Sequence, residues 1–258
     1  MDKKAFLNMF KDHDKNYISG IYEDIQLCRN IEVPIYTKEF VTPDIYMSIK
    51  NNEGKLGVFV HGTGVFDDSE RKILCFSTNT YEALDYDIHV IRIKNKSKFK
   101  ELKHKNYLGS IMALGVKRDL FGDLVVQGDV CFVPMVNAIS QYVQDNLTTI
   151  GNCPCSIDRV DISSEDIPKI EFEEKSIIVT SLRLDNVVPS ICNMSRAKGT
   201  EFISNGSVLL NYLTCNRKDK LVEMKDTITI RGFGKYKVNS IEGETSKGRL
   251  KLLIGKYI

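Results

Sequence analysis

The sequence predicts an α+β protein made of several small domains. Three observations carry that reading. The chain has 258 residues, which as a prior gives about two domains or three small ones. Residues 84–165 read as strand, helix, two strands, helix and strand, whereas 1–83 mix short helices with strands and the segment from 180 starts with two short helices before a run of strands. Charge is also divided. Residues 1–179 carry 22 Lys and Arg against 27 Asp and Glu, a net of −5, and residues 180–258 carry 14 against 7, a net of +7, which together give the chain's +2. Four segments follow: an N-terminal α/β domain (1–83), a middle domain (84–165), a linker with a leading strand (166–179), and a basic C-terminal module (180–258).

In the first segment, Ala5 to Phe10 and residues 18–30 have helical patterns. Thr42-Pro43-Asp44 is a helix start, with Thr42 as cap and Pro43 at the first helical position. Gly57 to Val60 and Arg71 to Ser77 read as strands. His61-Gly62-Thr63-Gly64 reads as a loop lacking both the phosphate-loop lysine and the dinucleotide glycine spacing.

In the second, Tyr86 to Ile93 is a strand and Phe99 to Leu114 a helix, with Leu108, Ile111 and Met112 on one face. Strands over Asp123 to Val126 and Val130 to Val133 flank the turn Gln127-Gly128-Asp129. A helix over Val136 to Leu147 and a strand over Cys155 to Asp161 complete a βαββαβ order, that of ferredoxin-like or RRM-like domains. RRM modules stack bases on aromatics of the two central strands. Val125, Val126, Cys131, Phe132 and Val133 supply one aromatic, too few for such a platform. Arg92, Lys94, Lys96, Lys98, Lys100, Lys103 and Lys105, opposed only by Glu101, are either a solvated strand face running into a loop or a phosphate-contacting stripe.

Residues 166–176 are acidic, contain Pro168 and read as a linker. Beyond it, Leu184, Val187, Val188 and Ile191 form one apolar helix face, interrupted at Pro189. Ser195 is a natural N-cap for a second helix whose inner face is Gly199, Phe202 and Ile203, ended by Asn205-Gly206. Strands follow over Val208 to Asn211, Ile228 to Arg231, Tyr236 to Ile241 and Leu250 to Ile254. Arg196 and Lys198 fall in the first turn of the second helix, where free N–H groups already favour anions; the three together suit a phosphate.

The seven cysteines are odd in number and scattered. Cys153 and Cys155 form a C-x-C with no second ligand pair at metal-site spacing, so buried thiols in a reducing compartment are expected, with no metal and no cofactor. No window approaches the roughly 18 apolar residues of a membrane span. The start, MDKKAFLNMFKDHDK, has no apolar stretch of a secretory signal, and a cytoplasmic location is expected.

The C-terminal module resembles an S4 RNA-binding domain. The resemblance rests on Arg183-Leu184-Asp185, Ser195-Arg196, Ile203 to Asn211 as I-x-x-G-x-V-x-x-N, and Asp226. Gly199 stands where a helix former is usual, and Pro189 interrupts the first helix. The likeness extends to the YlmH-type proteins through Arg231 to Lys235 with Ser240 to Gly243, Leu102 to Ser110 (the family's H-R-D-Y-L-G-S stretch), Leu114 to Asp123 (L-G-I-K-R-D-x-F-G-D), Asp145 to Gly151 and Ser69 to Lys72. It spans about Val41 to Ile258, with Lys105-Asn106 in place of the family's Arg-Asp.

The resemblance implies a non-enzymatic bacterial or plastid factor that binds structured rRNA or tRNA on the large ribosomal subunit in ribosome-associated quality control, working without a membrane and as a monomer. The residues expected to contact RNA are Arg183, Ser195, Arg196, Lys198, Lys218, Arg231, Lys235 and Lys237, with Arg183 alternatively paired to a carboxylate. His104, Lys105, Lys117 and Arg118 are candidates for a second RNA or ribosome contact, or else helix-end charges. Ser69, Glu70 and Arg71 match the family without a derived role. The alternative is an RNA-modifying enzyme, a methyltransferase or a pseudouridine synthase, since the latter use an aspartate in an R-L-D sequence. Here the triplet opens a helix and lacks the downstream threonine, so Asp185 reads as structural, and no glycine-rich cofactor loop is present for a methyltransferase. A protein-interaction body with an incidental basic tail is the third reading.

Overall fold

The computed structural model describes residues 1–80, 84–97, 99–162, 164 and 166–257. The expected boundaries at Ala83 and Glu165, and Lys98 of the basic run, lie outside the described residues. The chain is mixed α/β with several sheets and divides into two compact units, Met1–Ile170 and Glu171–Ile258.

The first unit begins with α1 (Lys3–Asn8) and α2 (Lys15–Ile31). Asp2 and Asp14 cap them, accepting from the N–H groups of Ala5 and Tyr17, each at 2.8 Å. The Asp2 cap starts α1 two residues before the expected Ala5. Ile18, Ile21, Ile25 and Cys28 turn inward from α2. Then come β1 (Ile35–Tyr36), α3 (Pro43–Lys50) with Pro43 in its first turn, α4 (Glu53–Leu56), β2 (Phe59–Thr63) and β3 (Ile73–Ser77), the strands forming a sheet of order β1-β3-β2. The loop expected at residues 61–64 is therefore corrected: His61, Gly62 and Thr63 pair with Cys75, Leu74 and Ile73 as the end of β2. Gly64 follows, where a Cβ would lie 2.3 Å from the Arg71 carbonyl oxygen, so only glycine lets the chain pass that close to Ser69–Arg71.

The remaining elements of this unit are β4 (Ile88–Asn95), α5 (His104–Ala113), a 3₁₀ turn (Arg118–Leu120), β5 (Val125–Gln127), β6 (Val130–Val136), α6 (Asn137–Asn146), β7 (Thr149–Ile150) and β8 (Cys153–Val160). The antiparallel sheet runs β5-β6-β4-β8-β7. One face packs on the helices: Ile91, Ile93, Cys131, Val133 and Met135 join Tyr107, Ile111 and Val143 in one core. α5 begins at His104, five residues later than expected. The Lys103 N–H donates to the Asn106 side chain at 2.9 Å, closing the helix start. Its inner face uses Tyr107 and Ile111, while Met112 is exposed.

The opposite sheet face is covered too. Val90, Phe132 and Val160 are buried with Phe66, and Val65, Ile167 and Ile170 pack on them. Arg92 on that face is tied up, its Nε donating to Asp158 at 3.0 Å and its Nη1 to Asp166 at 3.4 Å.

The second unit holds β9 (Phe172–Val179), α7 (Leu184–Cys192), α8 (Arg196–Ser204), β10 (Val208–Leu210), β11 (Leu213–Thr214), β12 (Thr227–Ile230), β13 (Gly234–Glu244) and β14 (Leu250–Tyr257). The sheet order is β11-β10-β12-β13-β14-β9, antiparallel throughout. β9 begins at Phe172, inside the stretch expected to be linker, and pairs with β14 along its length. Leu184, Val187, Val188 and Ile191 of α7 and Ile203 of α8 pack on Ile228, Tyr236, Val238, Leu252 and Ile254.

Pro189 and Gly199, each unusual alone, explain one another. The proline ring lies against α8 where a Cβ on residue 199 would come within 2.5 Å of Pro189 Cγ. Glycine is what allows the two helices to meet at that point, and their burial offsets the hydrogen bond the proline removes from α7.

Candidate nucleic-acid interface

In the second unit a buried carboxylate joins the starts of the two helices. Asp185 stands in the first turn of α7 and is 3% exposed. Arg183 approaches it with a two-pronged contact, Nε to Oδ1 at 3.0 Å and Nη2 to Oδ2 at 3.2 Å. Arg196, eleven residues on in the first turn of α8, donates Nη2 to Oδ2 at 2.7 Å. These bonds, Arg183's foremost, hold the Asp185 carboxyl below the usual carboxylate range, against the cost of its burial. The two guanidinium side chains stay 39% and 62% exposed. One buried anion thus fixes two cations whose outward N–H groups remain open to a phosphate.

The surrounding backbone adds to this. The segment 217–220 lies across the start of α7, its Lys220 and Lys218 carbonyls accepting the Leu184 and Asp185 N–H groups at 2.9 and 3.0 Å. That brings exposed Lys218 and Lys220 to Arg183. Ser195 caps α8, its Oγ accepting the Lys198 N–H at 3.3 Å, and the Lys198 side chain is exposed. An open cleft of about 320 Å³, lined by Asp185, Asn186, Asn193, Met194 and Arg196 among others, adjoins the arginines. Lys220, and Asp185 as organiser, were missed by sequence reasoning; the signal available was the R-L-D triplet itself, whose i to i+2 spacing lets the arginine fold back on the carboxylate.

Not every candidate residue joins this cluster. Arg231 follows β12, its N–H bound to the Ser207 carbonyl beyond the far end of α8 from Arg196. Lys235 and Lys237 alternate with Tyr236 and Val238, which face the helices, so they project from the opposite face of the sheet. There Lys235 lies 4.0 Å over the Tyr257 ring and Lys237 5.5 Å over Phe172. Burial lowers the Lys235 pKa to about 8. Asn211 and Asp226 of the motif form a clasp: the Asn211 amide donates to Asp226 at 2.7 Å and accepts the Thr227 N–H at 2.9 Å. Counted over the folded unit, residues 171–258 carry 15 Lys and Arg against 10 Asp and Glu, because residues 171–179 add Glu171, Glu173 and Glu174 with Lys175.

In the first unit the structure gives Ser69, Glu70 and Arg71 a role. Asp123 accepts the N–H groups of both Glu70 and Arg71, the latter at 3.1 Å. The Arg71 side chain bonds Asp119 at 2.9 Å, and Ser69 Oγ accepts the Phe66 N–H at 3.1 Å. Arg118 points at the backbone, donating to the carbonyls of Phe121 (2.6 Å) and Gly122 (3.0 Å) with its guanidinium over the Phe121 ring. Burial lowers its pKa to about 10. Arg118 is thereby spent on folding the 117–123 turn. Lys105 and Lys117 are exposed; His104 is also at the surface, its pKa lowered by partial burial and then by Arg118. All seven cysteines are free. Among the described residues no His, Cys, Asp and Glu group is placed to hold a metal, and no helix is long and apolar enough to cross a membrane.

Comparison with known proteins agrees with the sequence pattern. Residues 82–164 match a family model described as "Putative RNA-binding domain in YlmH". The ribosome-associated protein quality control protein P2 of Bacillus subtilis (strain 168) is 30% identical over 216 residues, covering 83% of this chain and 84% of that protein. A solved structure, the cell division protein ylmH from Streptococcus pneumoniae, aligns over 60% of this chain and 94% of its own with 22% identity and a TM-score of 0.49. An identity of 30% sustained over more than four-fifths of both chains makes this chain a member of the YlmH family.

Proposed function

We propose that the chain is a non-catalytic RNA-binding protein that grips structured ribosomal RNA, with tRNA as a second ligand, on the large subunit of stalled ribosomes. The observation that carries it is the pair Arg183 and Arg196, pre-oriented on buried Asp185 beside exposed Lys198 and Lys218. Rigid, part-exposed guanidiniums suit the fixed phosphate spacing of a folded RNA, because little side-chain entropy is left to lose on binding. The name of the Bacillus relative supports the ribosomal setting.

The second unit reads as an S4-type domain. Two short helices on one face of an antiparallel sheet, R-L-D and S-R at the facing helix starts and the Asn211–Asp226 clasp support this. The β5-β6-β4-β8 order, with the first and third strands of the βαββαβ unit in the centre, supports an RRM-like reading of the middle region. Its sheet lacks the usual stacking role, since Phe66, Val65 and Ile167 occupy the face where bases would lie. Against a pseudouridine-synthase reading, Asp185 is 3% exposed and both its oxygens are committed to arginines. The chain is taken to act as a cytoplasmic monomer.

The test is sedimentation with ribosomes of the host, wild type beside Arg196→Ala/Lys198→Ala, at low and high salt. Comigration with the large subunit, lost in the double variant, is the expected result. No comigration with any ribosomal particle, stalled subunits bearing peptidyl-tRNA included, overturns the reading.

A further inference from the structure

Phe99 is 99% exposed; the next most exposed large apolar side chain, Leu221, is at 57%. A phenyl ring in full contact with water forgoes burial that most aromatics find within their own fold. It makes no ring contact among the described residues.

The segment that displays it is anchored at both ends. Asn95, 4% exposed at the end of β4, accepts the Ser97 N–H on its side-chain oxygen at 3.0 Å and donates its amide to the Lys100 carbonyl at 2.8 Å. The backbone N–H groups of Asn95 and Lys96 bond to Asp129 and Pro154 at 2.8 and 2.9 Å, tying the chain there to the β5–β6 turn and to β8. On the far side Leu102 is buried in the core under α5. Phe99 is therefore exposed between anchored positions on either side of it, which buried Asn95 bridges.

The surroundings define its partner. Lys94, Lys96, Lys100, Lys103 and Lys105 are exposed and form no ion pair among the described residues. An exposed apolar ring in a stretch of chain rich in unpaired lysines, opposed only by Glu101, matches one chemistry better than others, a planar base with a phosphate on either side. The sheet face on which RRM-type domains stack bases is filled in this chain, so an aromatic contact to a base has to come from elsewhere.

We infer that Phe99 is a stacking finger for an unstacked RNA base, lying on the base while Lys96, Lys100 and Lys103 hold the flanking phosphates. This rests on the RNA-binding reading above and adds to it a second contact of different character. The S4-type face reads backbone shape, whereas Phe99 demands a bulged or unpaired nucleotide. Stacking on an aromatic is sequence-tolerant, because every base has a π-face.

The chain contains no tryptophan, so Phe99→Trp installs a single fluorophore at that position in the full-length protein. The probes are an RNA hairpin with a one-nucleotide bulge and its fully paired counterpart, at equal salt. Quenching of the tryptophan by the bulged hairpin and not by the paired one is the expected result. Phe99→Ala weakens binding of the bulged hairpin roughly five- to hundredfold, Phe99→Tyr retains it, and neither alters the paired hairpin. Lys96→Ala/Lys100→Ala weakens both hairpins and flattens the salt dependence. Equal quenching by the two hairpins, or bulged-hairpin affinity unchanged in Phe99→Ala, overturns the inference. If the stacking finger fails in this way while ribosome comigration still depends on Arg196 and Lys198, the broader reading stands. If neither hairpin binds and comigration is also absent, both fall.

Discussion

Each unit surrounds an aspartate with basic side chains, and the two use the arrangement in opposite ways. In the second unit Asp185 is the buried partner and Arg183 and Arg196 face outward, so the carboxylate orients charge that remains available. In the first unit Arg71 is the less exposed partner, 17% against 48% for Asp119, and Arg118 spends its donors on the carbonyls of Phe121 and Gly122. Asp123 there binds backbone N–H groups instead of presenting a cation. An arginine in a motif is thus a contact or a strut according to which member of its pair is buried.

The sharpest way to break the symmetry is to remove each aspartate. Asp123→Ala strands the Glu70 and Arg71 N–H groups in a part-buried turn. At about 1–3 kcal/mol for each unsatisfied group, a loss of about 3 kcal/mol is expected. In a unit of this size that lowers the melting temperature by roughly 6–12 °C. Affinity of the folded protein for RNA should stay unchanged. Weaker RNA binding by folded Asp123→Ala, at a temperature well below its melting point, would show that the turn held by Asp123 itself belongs to the interface.

Next in size is Gly199→Ala. The added Cβ meets Pro189 Cγ at 2.5 Å, and prying α7 from α8 costs about 1–3 kcal/mol. Because Arg196 and Asp185 sit on those two helices, RNA binding should weaken along with stability. Pro189→Ala in the same chain should restore both. Thermal melts of the two single variants and the double variant close the cycle, and additive losses would disprove the coupling.

That pair shows how much was legible in the sequence. The helices of the second unit, the Ser195 cap and the turn at Gly206 follow from apolar spacing and capping chemistry, which are local. Gly199 and Pro189 look like separate departures from a pattern until the fold brings them together. The same holds for Ser69 to Arg71 and Asp119 to Asp123, some fifty positions apart, whose roles exist only across the space between them. Lys235 and Lys237 carry the right charge for a phosphate contact, yet strand alternation turns them away from the helix face. The basic run at 92–105 shows the converse. Arg92 is paired and consumed, while the functional signal sits on Phe99, a residue that charge patterning does not pick out.

Asp185→Asn tests pre-orientation directly. The substitution keeps the shape and removes the charge, and about 1.5–3 kcal/mol of charge-assisted hydrogen bonding is at stake. Net charge becomes more positive, so simple electrostatics predicts tighter RNA binding. Pre-orientation predicts weaker binding, by several-fold, and a rise in affinity would sink it. The carboxyl titrates below the usual aspartate range in the folded state. Its stabilisation is therefore complete above the unfolded pKa of about 3.9 and is lost as pH falls through the lower folded value. Wild type should show an acid limb below about pH 4 that is shallower in Asp185→Asn.

The smallest effect belongs to the other face of the same sheet. Lys235 is seated over Tyr257 with its pKa lowered from 10.5 to about 8, so between those values the unfolded chain binds more protons than the folded one. Stability of the second unit should then rise with pH from about 8 towards 10.5, and Lys235→Met should remove that rise. Seated over Tyr257 on the face away from the helices, Lys235 lies off the Asp185 cluster. Its replacement should change the salt dependence of RNA binding by much less than one phosphate's worth, whereas Lys198→Ala should remove close to one. Binding isotherms of the two variants across a salt series compare them directly. Equal slopes would mean that the sheet face shares the RNA after all, and that the Asp185 cluster is one part of a wider surface.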